Sequence, residues 1–162
     1  MLFRSDASAA GITVTINAVY NIGSVSFSGR TTRAITFTVS AAVSLYGSLT
    51  LSSQVTYSGT STLSFTGQGG TQTITLAGQT LTGAITLNGT GTYRLGANLA
   101  IGSTLTTTLT TGTIDLQTYT WSTGIFSSTG TTVRSVAFGT GKILLTGNNG
   151  PIWSMSNGTR SE

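Results

Sequence analysis

Along most of this chain, apolar residues alternate with threonine or serine. ITVTI (12–16), SVSFSG (24–29), AITFTV (34–39), SLTLSS (48–53), STLSFTG (61–67), TQTITLAG (71–78) and GAITLNG (83–89) all carry the pattern. Successive side chains of a strand point to opposite faces, so each run predicts a strand with one apolar and one hydroxylated face. No window has the spacing of an amphipathic helix. Glycines separate the runs, at points where a chain can turn sharply without a Cβ penalty. The expected class is all-β.

A repeat is the next question. At an offset of 29, Ile85, Ile114 and Ile143 fall in register, as do Leu87, Leu116 and Leu145. Such a period would hold three short strands and three corners, one coil of a parallel β-solenoid whose turns stack about 4.8 Å apart. Stacking would place Thr above Thr outside, where β-branching suits the strand, and Ile, Leu, Val and Phe above one another inside. In the segment TTVRSVAFGTGKILLTG (131–147) this predicts a strand, a GTG corner and a second strand. Residues 51–162 are expected to form the repeats, and residues 1–50, where the period blurs, a capping or docking region. The alternative is an antiparallel sandwich or jelly roll, with Asn88–Gly89 and Asn157–Gly158 as hairpin turns.

Composition narrows the function. The 162 residues include 35 Thr, 21 Ser and 22 Gly but only ten charged side chains, where globular proteins carry roughly a quarter. The β-branched and aromatic content argues against disorder. With no cysteine or histidine, disulfides, zinc sites and histidine-dependent nucleophiles are unavailable. Asp6, Asp115 and Glu162 are the three acids, too few and too scattered for a carboxylate pair or a calcium cage. No enzyme activity and no cofactor is expected. The seven cations are dispersed, with Arg30 and Arg33 the one local pair, so nucleic acid is not an expected partner. The N-terminus lacks the apolar run of a signal peptide, and no segment reaches the length of a membrane span.

Two groups remain as candidates. Tyr93, Tyr119, Trp121 and Trp153 could stack on a glycan or sit in a subunit interface, the competing expectation being that they fill the core. Asp115 in TIDLQTYTW should face solvent; it is either a charge that blocks sheet-edge association or a polar contact to a neighbouring subunit, with Arg94 or Arg134. GQGGT (67–71) and GTGTYRLG (89–96) lack the strand-to-helix context of a phosphate loop and read as corners.

GTIDLQTYTW together with FSSTGTTVRSVAFGTGKILLTGNNGPIWSMSNGT resembles repeat-rich proteins of marine bacteriophages. The ordered pattern falls on Ile114–Leu116, Phe126–Ser128, Arg134–Gly141, Ile143–Gly147 and Ile152–Trp153, about a third of the chain. The resemblance implies a virion structural protein of the tail-fibre, decoration or adaptor kind. Its expected partners are copies of itself, for instance in a trimer, and other virion proteins. A host-attachment adhesin for a cell-surface glycan, or a bacterial surface or extracellular filament protein, are the alternatives.

Overall fold

In the computed structural model, residues 11–29 and 34–155 are described. They form twenty strands and no helix, three strands to a turn. The first coil holds β1 (Ile12–Ile16), β2 (Tyr20–Ile22) and β3 (Val25–Ser26); the second β4 (Ile35–Val39), β5 (Val43–Leu45) and β6 (Leu49–Thr50). The third holds β7 (Val55–Ser58), β8 (Leu63–Phe65) and β9 (Thr71–Thr75); the fourth β10 (Thr80–Leu81), β11 (Ile85–Leu87) and β12 (Thr92–Leu95). The fifth holds β13 (Leu99–Ile101), β14 (Thr106–Leu109) and β15 (Gly112–Asp115); the sixth β16 (Thr120–Thr123), β17 (Ile125–Ser128) and β18 (Arg134–Ala137). β19 (Lys142–Leu145) and β20 (Trp153–Met155) begin a seventh.

Strands pair in parallel with the strand three places on, β7 and β10 excepted, giving a β-solenoid of about six turns. One face is β1-β4-β7 followed by β10-β13-β16-β19, the ladder breaking between β7 and β10. The second face is the seven-stranded order β2 to β20, and the third the six-stranded order β3 to β18. Every pairing among the described residues is parallel, so the antiparallel sandwich is set aside. Asn88–Gly89 is a corner rather than a hairpin, and Asn157–Gly158 lies outside the described residues, as do Asp6, Arg30, Arg33 and Glu162. Strands β4 to β6 pair directly with β7 to β9, so the ladders run through residue 50 without a boundary. Among the described residues no helix is long and apolar enough to cross a membrane.

The expected coil of 29 residues is corrected by the register. Leu63, Ile85 and Thr107 stack at intervals of 22, and Ile35 and Val55 at 20. Ile85, Ile114 and Ile143 lie on three different faces, in β11, β15 and β19. Twenty-nine is one coil plus one side: 22 residues from Ile85 to its ladder partner Thr107, then 7 more to Ile114. All three sides share the same in-and-out phase, so that offset also aligns inward positions. The periodicity was real but mixed two repeats.

The interior is a single apolar stack in which Phe37, Phe65, Ile85, Leu87, Ile114, Trp121 and Phe126 are fully buried. Outside, Thr13, Thr36 and Thr56 form one ladder and Thr15, Thr38 and Ser58 another. Corner glycines let coils approach at backbone distance. A Cβ on Gly124 would strike the Ser103 carbonyl, and one on Gly89 the Gly67 carbonyl.

Candidate functional site

The four singled-out aromatics do not share a surface. Tyr93 and Trp121 are fully buried, which overturns both a glycan platform and a subunit contact for these two. Tyr93 stands inward on β12, and its ring meets Phe65 edge-on with centroids 6.3 Å apart. Its hydroxyl accepts from the Gly89 amide and donates to the Gly89 carbonyl at 2.7 Å, so it satisfies a corner from inside. Burial raises the phenol's pKa above its ordinary value, opposed by the Gly89 hydrogen bond.

Trp121 anchors a buried polar relay. Its indole Nε1 donates to Thr107 Oγ1 (3.0 Å), Thr107 donates to Thr123 Oγ1 (3.1 Å), and Thr123 donates to the Ile125 carbonyl (3.0 Å). The inward stack is therefore not uniformly aliphatic, as the expectation had it: Thr107 and Thr123 are both fully buried. An indole buried without an acceptor would lose its hydrogen bond to water, and threonines at these two positions supply the replacement. Tyr119 is partly buried against the core. Trp153 alone of the four is exposed, at 41%, with its ring stacked on Phe126 at 4.7 Å and 20°.

The charged candidates find partners on their own chain. Register places Arg94 of β12 beside Asp115 of β15, and Arg94 Nε donates to Asp115 Oδ2 at 3.0 Å. Gln117 adds its side-chain amide at 2.6 Å and its backbone amide at 3.2 Å. Burial pushes the Asp115 pKa upward, but the Gln117 and Arg94 hydrogen bonds and the guanidinium charge outweigh it and hold the pKa below the usual value. These contacts steady Gln117, whose φ of 57° is unusual for a residue with a Cβ. Arg134 donates to Ser128 Oγ (2.7 Å) and to the carbonyls of Gly130 and Thr132 (2.8 Å each), clamping the loop before β18. Arg94, Asp115 and Arg134, expected as polar contacts to a neighbouring subunit, thus make contacts between neighbouring segments of one chain.

No group of three or more acid, histidine or cysteine side chains that could hold a metal occurs among the described residues. Two other features draw attention instead. The first is the face of β1, β4 and β7, where two columns of hydroxyls run side by side: Thr13, Thr36, Thr56 and Thr15, Thr38, Ser58. Neighbours within a column are about 4.8 Å apart and the columns about 6.7 Å apart, from strand geometry. The second is the pair of ends. Most of the exposed large apolar side chains belong to the first coil (Val19, Tyr20) or follow β17 (Val133, Phe138, Leu144, Trp153, Met155), while the middle of the solenoid is sealed. Sequence reasoning missed the ends because inward residues such as Tyr20, Trp153 and Met155 carry the same alternation as their buried column partners Val43, Phe126 and Ser128, and differ in having a described coil on one side only.

Comparison with known protein families, curated proteins and solved structures returns no match.

Proposed function

We propose that this chain is a non-enzymatic structural building block, a virion subunit of the tail-fibre, decoration or adaptor kind that assembles with copies of itself. The observation that carries this reading is the all-parallel stack of the described residues, with two faces laddered from end to end and an apolar core buried through the middle coils. Such a stack satisfies its backbone coil by coil and places few titratable groups where pH could act on them. The resemblance of residues 114–153 to phage repeat proteins supports the virion setting. Mass spectrometry of purified particles tests it: the chain should be present at a fixed ratio to the other structural proteins. Recovery only from the cell surface or culture fluid, with none in particles, would instead support a bacterial filament.

The hydroxyl columns of β1, β4 and β7 favour a second reading, attachment to a repetitive hydroxylated surface such as a cell-surface polysaccharide. Regular, charge-free hydroxyls can meet a regular ligand without conformational rearrangement. Retention on insoluble polysaccharide should fall when Thr36 and Thr38 are changed to Tyr. Retention on ice crystals with none on polysaccharide would reassign the face to ordered water.

A further inference from the structure

Resting on the building-block reading, we infer that the two ends of the solenoid dock onto each other, the C-terminal end of one copy seating on the N-terminal end of the next. Among the described residues each face finishes in an edge strand: β1, β2 and β3 at one end, and β19, β20 and β18 on the same three faces at the other. Edge strands leave backbone donors and acceptors unpaired, and here every native pairing is parallel and three strands apart. Translation along the axis would lay β19 on β1 and β20 on β2, repeating the coil-to-coil contact that builds the molecule on two of the three faces; on the third, which has six described strands against seven, β3 would stand one strand position beyond β18.

The side chains agree. One inward column runs Tyr20, Val43, Leu63, Ile85, Thr107, Phe126, Trp153 from end to end. Its two terminal members are aromatic and exposed, Tyr20 at 51% and Trp153 at 41%. Head-to-tail stacking brings Trp153 onto Tyr20, continuing the Phe126–Trp153 stack, and Met155, 60% exposed, toward Ile22. Shape agrees as well. The N-terminal end has a hollow of about 400 Å³ lined by Val14, Ile16, Tyr20, Ile22 and Val25, a seat for the apolar end opposite.

Shape selects head-to-tail over a twofold arrangement: the hollow lies at the N-terminal end, and the exposed Trp153 and Met155 that would fill it lie at the other. An interface between two different patches does not close on a pair and builds a filament.

Sedimentation of the full-length chain and two variants decides the matter. Tyr20→Lys blocks the N-terminal end and Met155→Lys the C-terminal end, with Val14→Lys and Trp153→Lys in reserve should either fail to match the wild-type circular dichroism. The wild type should form a concentration-dependent ladder of species, and each variant alone should lose everything above the monomer. An equimolar mixture of the two should regain a species of two chains and nothing larger. A Tyr20→Lys protein that still dimerises would show tail-to-tail pairing and overturn the proposal. Assembly unchanged in both variants would place the contact on the side faces, overturning stacking while leaving the building-block reading intact. A monomeric wild type overturns it too: end strands protected from hydrogen exchange would mean residues 1–10 or 156–162 cover them, and freely exchanging ends would leave them to a different protein. Presence in purified particles is scored separately, so the two ideas fail independently.

Discussion

The middle coils and the end coils use the same residue pattern with opposite results. Phe126 and Trp153 are ladder partners, one position apart along the axis, yet Phe126 is fully buried and Trp153 is 41% exposed. Chemistry and local backbone are shared; a coil on both sides against a coil on one side is the difference. Burial in this fold therefore belongs to position in the stack rather than to the side chain, and an end coil is an unfinished interior.

The sharpest way to break the comparison is to remove equivalent bulk from each region. Phe65→Ala, in the sealed middle, should cost about 3–5 kcal/mol through lost transfer energy and the cavity left behind. Met155→Ala, measured on the monomer, should cost roughly 0.5 kcal/mol or less, as for other exposed positions. Denaturant titration of both gives the difference, and similar losses would mean that the last coil is as well covered as the third.

Backbone spacing should follow the same division with a smaller effect. Gly124→Ala would drive a methyl into the Ser103 carbonyl, and about 1–3 kcal/mol of destabilisation is expected. At Gly23, in the first coil, the space around an added Cβ is open, so Gly23→Ala should lie within about 0.5 kcal/mol of wild type. Thermal unfolding of the pair checks this, and equal midpoints would contradict the close approach at Gly124.

Within the interior, two tyrosines sharpen the point that coverage alone does not set an energy. Tyr93→Phe strips the corner at Gly89 of its buried partner and should cost about 1–3 kcal/mol. Tyr57, whose phenol is pushed up to about 12 by burial, has no hydrogen bond to its hydroxyl among the described residues. Tyr57→Phe should then be neutral or slightly stabilising, and a loss as large as that of Tyr93→Phe would reveal a bond to that hydroxyl.

A small effect is expected on the outer surface, where neither kind of coil covers the group. The folded Asp115 carboxyl titrates below its unfolded value, so its contribution is present above the unfolded pKa and fades as pH falls through the folded one. Asp115→Asn should lower stability by less than about 1 kcal/mol at neutral pH, the usual scale for an exposed pair. The gap from wild type should close in strong acid. A gap that stays constant down to the lowest pH would assign the loss to packing rather than charge.

How far the chain announced all this differs from feature to feature. ITVTI and AITFTV are strands at Ile12–Ile16 and Ile35–Val39, nearly as their alternation predicts, because a five-residue period-two run has one way to hide its apolar face. The strands at Tyr20–Ile22 and Val43–Leu45 are too short to show a period by themselves and emerge only through pairing. Trp121 and Trp153 were indistinguishable as candidates, since both sit in apolar alternating runs and only the number of neighbouring coils separates them. The sequence suggests Arg94 as a partner for Asp115 only across a subunit boundary; the two stand 21 residues apart, and the register of β12 on β15 is what makes them neighbours within one chain.

By itself, the sequence determined that the chain would be β throughout, would stack threonine outside and apolar residues inside, and would hold few groups able to do chemistry. These are properties of single residues and of their alternation, which a strand expresses wherever it lies. The coil length of about 22 residues, the partners in each column and the open ends were decided by tertiary structure. They depend on which strand lies over which, and a repeat with three equivalent sides leaves that choice to the closing of each turn.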